Sequence, residues 1–205
     1  MHVRPESTRA RVVSARFLAL AACVLVSGCY LGSARTATPA DLAGEDDSWN
    51  RVEGVPPVRQ IAREDCGAAA LAMVLGYWAL PGTRADITAA SPPAPGGGIR
   101  AAALRDFARR RGLQAFLVAG ELADLDRELT RHRPVLVGVM KRTTGRVYPH
   151  YEVVVGISRR QQRILTLDPA HGLRVNSREG FTAEWTAAGR LTLIVLPFPR
   201  AAPSS

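Results

Sequence analysis

From Cys66 to Trp78 the chain reads Cys66-Gly67-Ala68-Ala69-Ala70-Leu71-Ala72-Met73-Val74-Leu75-Gly76-Tyr77-Trp78, with no charge and almost no polar face. Asp65 before it is a suitable N-cap and Pro81-Gly82 after it is a stop, so the run predicts one helix. A helix that is apolar all round must be buried nearly all round. Other elements therefore have to enclose it, and the domain is built around a helix that opens on a cysteine.

The following segments supply the enclosure. Thr83 predicts the cap of a short helix, and Ser91-Pro92-Pro93-Ala94-Pro95-Gly96-Gly97-Gly98 a linking loop, stiff and then flexible. Ile99 to Arg111 carries Ala103, Leu104, Phe107 and Ala108 as a helical stripe, and Glu121 to Arg131 also reads as helical. The second half changes period. Val135–Val139, Tyr151–Ile157, Ile164–Leu167 and Leu191–Val195 predict four strands, with one more helix over Ser177–Ala188. Helices first and a largely antiparallel sheet afterwards make an α+β domain.

The amino-terminal region has a different character. Arg4, Arg9, Arg11 and Arg16 precede the uncharged run Phe17 to Val26, which is long enough for a signal-peptide core and too short to span a membrane permanently. It ends in Val26-Ser27-Gly28-Cys29, a pattern that resembles the bacterial lipoprotein box. We expect residues 1–28 to be a signal peptide, Cys29 to be acylated, and Tyr30, in place of aspartate, to direct the protein to the outer membrane facing the periplasm. An ordinary secretory signal that leaves Cys29 free is the alternative. Residues 29–54, rich in Ala, Thr, Ser, Gly and acidic residues, predict a lipidated cysteine and flexible tether, and residues 55–200 a single domain.

The 205-residue chain has a formal charge of +9, of which the signal segment's four arginines and Glu6 account for three, leaving about +6. Arginine supplies nearly all of it, since Lys141 is the only lysine. The cations are dispersed and few aromatics accompany them, which argues against a nucleic-acid partner. An anionic surface or an acidic substrate remains compatible with the charge, as does a simple compositional bias.

Once Cys23 leaves with the signal and Cys29 is acylated, Cys66 is the one free thiol. A thiol on the first turn of a helix lies at the positive end of the macrodipole, which favours thiolate. A buried structural cysteine is the plainer reading, yet an unpaired thiol in an exported protein invites oxidation unless it is used. His150 opens the strand Tyr151–Ile157 and Asp168 ends the next, so antiparallel neighbours can bring imidazole and carboxylate together as base and orienter. Separately they read as an edge histidine and a turn aspartate before Pro169. His171 is the only alternative base, and Gln60, otherwise a loop residue, can donate to an oxyanion with the Cys66 backbone N–H. Glu152 shares the strand face of His150 and reads as a solvated edge residue.

The segments Gln60-Ile61-Ala62-Arg63-Glu64-Asp65-Cys66-Gly67-Ala68-Ala69-Ala70-Leu71, Pro134-Val135-Leu136-Val137, His150-Tyr151 and Leu167-Asp168-Pro169 together resemble the bacteriocin-processing (double-glycine) peptidase family of papain-like cysteine peptidases. The resemblance runs from about Val55 to Pro197. It implies a papain-like fold with Cys66 as nucleophile, His150 as general base and acid, Asp168 as orienter and Gln60 as oxyanion donor. Well-known members trim leader peptides after Gly-Gly as parts of ABC exporters, whereas this chain shows an export signal and no ATP-binding loop. The expectation is peptide-bond cleavage with no metal, cofactor or ATP. A transamidase using the same site, or a non-catalytic peptide-binding lipoprotein, are the alternatives.

Overall fold

The computed structural model describes residues 30–43, 49–94 and 97–198; the expected signal peptide and Cys29 lie outside them. In chain order the elements are β1 (Arg35–Thr36), α1 (Pro39–Leu42), β2 (Asn50–Arg51), a 3-10 turn (Arg63–Asp65), α2 (Cys66–Tyr77), α3 (Arg84–Ala90), α4 (Ala101–Arg110), β3 (Leu113–Ala119), α5 (Leu122–Thr130), β4 (Val135–Thr143), β5 (Arg146–Ser158), β6 (Arg163–Asp168), β7 (Gly172–Ser177), α6 (Arg178–Ala187) and β8 (Leu191–Pro197). The strands form one antiparallel sheet in the order β1-β7-β6-β5-β4-β8-β3, with β2 also paired to β5. This is the α+β architecture expected.

Both faces of the sheet are covered, which explains why its central strands read as unbroken apolar runs. On one face, residues of α2 such as Leu71, Met73 and Leu75 pack with Ile87, Leu104 and Phe107 against Leu136, Val153, Val155 and Leu193. On the other, Leu125, Leu129, Phe181 and Trp185 cover Val135, Val137, Val139 and Val154. Every residue of α2 from Cys66 to Leu75 is buried, as its uniformly apolar sequence demands. Burying a single leucine of this kind contributes about 1.5–3 kcal/mol. The predicted Thr83 cap forms, with its side chain accepting the Asp86 N–H.

The expected tether is a correction. Residues 30–43 and 49–54 carry two short strands and a helical turn that lie on the sheet: Tyr30 bridges to Thr143, β1 extends β7, and β2 joins β5. Asp41, buried in α1, pairs with Arg35 and, at 2.9 Å, with Arg163 of β6. Two strands inside the domain, β3 and β7, also had no counterpart in the sequence reading.

Candidate active site

Cys66 begins α2 directly after the 3-10 turn and is only 4% exposed. Asp65 holds the N-cap position but does not cap with its side chain. Its carboxylate instead accepts the Ile61 N–H at 3.3 Å and pairs with Arg84 of α3, so it secures the loop that delivers the cysteine. The next residue must be small. A Cβ on Gly67 would stand 3.0 Å from the ring of Tyr151 and 3.1 Å from Leu104, closer than ordinary contact. Glycine there allows β5 to approach the helix start, which brings His150 to the thiol.

Strand register does the rest. β4 and β5 pair Val139 with His150, while β5 and β6 pair Val153 with Leu167, so Asp168 projects beside His150 from the adjoining strand. The His150 Nε2 to Asp168 Oδ1 distance is 2.8 Å, which leaves the other ring nitrogen for Cys66, close enough to act on the charge of the imidazole. Asp168 accepts two more donors, the Ala170 N–H at 2.7 Å and His171 Nδ1–H at 2.9 Å. His171 therefore supports the carboxylate and does not replace His150.

The electrostatics follow from these contacts. Burial pushes the Asp168 carboxyl up, but its hydrogen bonds to His150, His171 and the Ala170 backbone hold it well below the usual carboxylate range. Burial pulls His150 down, and the hydrogen bonds and negative charges of Asp168 and Cys66 override it, raising the imidazole to about 10. At neutral pH His150 is an imidazolium between a carboxylate and the sulfur. Tyr151, behind the thiol, is pushed up by burial first and then by the charge on Cys66, and stays a neutral phenol.

Gln60 is held by its backbone, whose N–H donates to the Pro169 carbonyl at 3.1 Å. Its Oε1 is buried without a donor among the described residues, an acceptor that a substrate N–H could meet. Gln60, His150 and Asp168 line a cleft of about 390 Å³, and Cys66, Gly98, Ile99 and Tyr151 line an adjoining one of about 430 Å³. Arg63, Arg146, Tyr148 and Pro149 border both. Thus all four residues singled out in the sequence converge on one two-part groove, whose adjoining half is also walled by the Gly97-Gly98 end of the Pro/Gly loop.

Sequence reasoning missed a second buried group beside it. Glu152 is fully buried, not a solvated edge residue, because Lys141 on β4 reaches it at 2.7 Å. Lys141 also meets Glu184 of α6 at 2.8 Å and the Tyr30 hydroxyl at 3.4 Å, and that hydroxyl donates to Glu184. Burial would lower Lys141, but the charges of Glu152, Glu184 and Tyr30 raise it. Tyr30 is pushed up to about 12, chiefly by burial. The signal available in the sequence was Lys141 itself, the single lysine of an arginine-rich chain.

Ligand atoms of His150, Glu152 and Asp168 lie within 4.8 Å of one another, a spacing that could admit a cation. The donor set fits one poorly. Asp168 already accepts three hydrogen bonds, and the ammonium of Lys141 supplies the positive charge that Glu152 needs.

The family model for the peptidase C39 family matches residues 54–196. Among solved structures, the peptidase domain of Streptococcus ComA, a bi-functional ABC transporter involved in a quorum sensing pathway, superposes with a TM-score of 0.58 at 26% identity, covering 70% of this chain and 99% of that domain. A double glycine motif protease from an AMS/PCAT transporter, in complex with the leader peptide, gives 0.56 at 24% identity over 72% of this chain and 94% of that one. A C39-like peptidase from Bacillus anthracis gives 0.61 at 16%, over 76% and 100%, a likeness of fold. No curated protein matches the chain.

Proposed function

As a member of the peptidase C39 family, the chain is a cysteine peptidase, and we propose that it hydrolyses peptide bonds through Cys66, His150, Asp168 and Gln60. The Cys66 thiolate attacks the carbonyl carbon of the scissile amide, and the resulting oxyanion is held by the Gln60 amide and the Cys66 backbone N–H at the start of α2. The His150 imidazolium gives its proton to the departing amine as the C–N bond breaks, leaving a thioester. Neutral His150 then takes a proton from water as its oxygen attacks the thioester, and the acid product leaves with the thiolate restored. Asp168 keeps the imidazole oriented and stabilises its positive charge throughout.

The observation that carries this reading is His150, bonded through one ring nitrogen to Asp168 and lining a groove that the thiol opening a buried helix also borders. A peptide substrate is consistent with the leader peptide bound by the related double glycine motif protease. The test is digestion of a synthetic peptide pool by the full chain, with products mapped by mass spectrometry. Wild type should cut, and Cys66→Ala should lose about 10⁴-fold or more of the rate; cleavage that persists in Cys66→Ala contradicts the reading.

The proposed setting is the cell envelope, with lipid on Cys29 at the outer membrane facing the periplasm. Two observations support an anchor close to the groove. Tyr30, the next residue, is fastened to Lys141 and Glu184 beside the active site, and Leu31 and Val147, both exposed, share one surface depression. No helix among the described residues is long and apolar enough to cross a membrane.

A further inference from the structure

The rim of the groove carries unpaired positive charge. Arg63 and Arg146 stand at the junction of its two halves, each against the ring of Tyr148, with guanidinium carbons 5.2 and 5.1 Å from the ring centroid. Arg100 lines the half that holds Cys66, and Arg174 the half that holds His150. None of the four has a carboxylate partner among the described residues, whereas arginines elsewhere, such as Arg84, Arg105 and Arg163, pair with Asp65, Asp106 and Asp41. Among the described residues Arg174 donates only to the Thr36 hydroxyl and the Ala34 carbonyl, and its buried Nε has no acceptor. The acids in the lining are Glu64, on the Cys66 side, and Asp168, which His150 and His171 already engage.

Two like charges held against one ring repel each other, and a tyrosine face attenuates that repulsion without neutralising it. A chain that occupies both halves of the groove lies against both guanidinium groups, since each borders both halves. Resting on the peptidase reading above, we infer that the enzyme selects acidic polypeptide segments, with Arg63 and Arg146 as specificity-determining residues that engage carboxylates flanking the scissile amide. Guanidinium suits this task because its planar fork meets a carboxylate through two parallel hydrogen bonds. Arg100 and Arg174 extend the same preference to either side.

Binding to the Cys66→Ala full chain separates this inference from the question of catalysis. The probes are a labelled peptide with glutamate at every second position around a central Gly-Gly and its glutamine-for-glutamate counterpart, compared by fluorescence anisotropy. The glutamate peptide should bind about tenfold more tightly at low salt, with the advantage shrinking as salt is added. Arg63→Glu and Arg146→Glu, each alone, should abolish or reverse the preference, while Arg127→Glu on α5, with the same change in net charge, should leave it intact. Equal affinity for the two peptides overturns the inference, and so does a preference that survives both groove substitutions. Failure of the wild-type chain to cut any peptide would defeat the peptidase reading alone, since the binding comparison needs no turnover.

Discussion

His150 and Glu152 stand two residues apart on β5, share a face of the sheet, and are both buried, yet the charge groups they belong to end in opposite ways. Glu152 leads inward: Lys141 lies between it and Glu184, and Tyr30 closes the group from outside. One ammonium there serves two carboxylates, and although Lys141 lies 2.7 Å from Glu152, the Glu152 oxygens make no well-aligned hydrogen bond among the described residues. His150 leads outward: Asp168 fixes one side of its ring, and the imidazole lines an open groove in which the Gln60 Oε1 has no donor among the described residues. The difference separates a buried charge cluster enclosed by the fold from one that opens on a groove.

The contrast can be broken most forcefully at Lys141. Lys141→Met leaves Glu152 and Glu184 as uncompensated buried carboxylates and should destabilise the fold by about 3–5 kcal/mol, read as a fall in the urea midpoint. Retention of wild-type stability would show that the closed cluster is not structural. Gln60→Ala should act in the other direction, lowering kcat by about 10²-fold with little change in stability or KM, because the amide is engaged only as the oxyanion forms. A loss confined to KM would assign Gln60 to ground-state binding instead. The smallest change at neutral pH, and the most diagnostic in its pH dependence, is Asp168→Asn. The wild-type rate should fall on the alkaline side only as pH rises through about 10, where His150 loses the proton it must deliver. Removing the carboxylate charge that helps raise His150 should bring that limb down toward the ordinary imidazole value of about 6.5. An unmoved limb would show that Asp168 does not set the protonation of His150.

These two clusters were unequally legible in the sequence, for a physical reason. Cys66 and Asp168 occupy places that local pattern marks, the start of an apolar helix and the end of a strand before a proline, whereas His150, expected to open its strand, lies inside β5, which begins four residues earlier at Arg146. The closed cluster joins Tyr30, Lys141, Glu152 and Glu184 from four separate segments, and Glu152 alone carries no hint that a lysine will reach it. The same holds for the strands. β3 was missed because Phe116 and Val118, its outward residues, are apolar and exposed, so no alternation shows. β7 is short, with polar residues, and is defined by pairing with β6. The segment read as a tether is held by backbone pairing to β7 and β5 and by Arg163 reaching Asp41, contacts that composition cannot display.

The central claim is that His150 activates Cys66 in the free enzyme. Its direct test is the rate of iodoacetamide labelling of Cys66 in the full chain at pH 7, for wild type and His150→Ala. The account predicts that His150→Ala lowers the labelling rate about tenfold or more. Equal rates in the two proteins would contradict it.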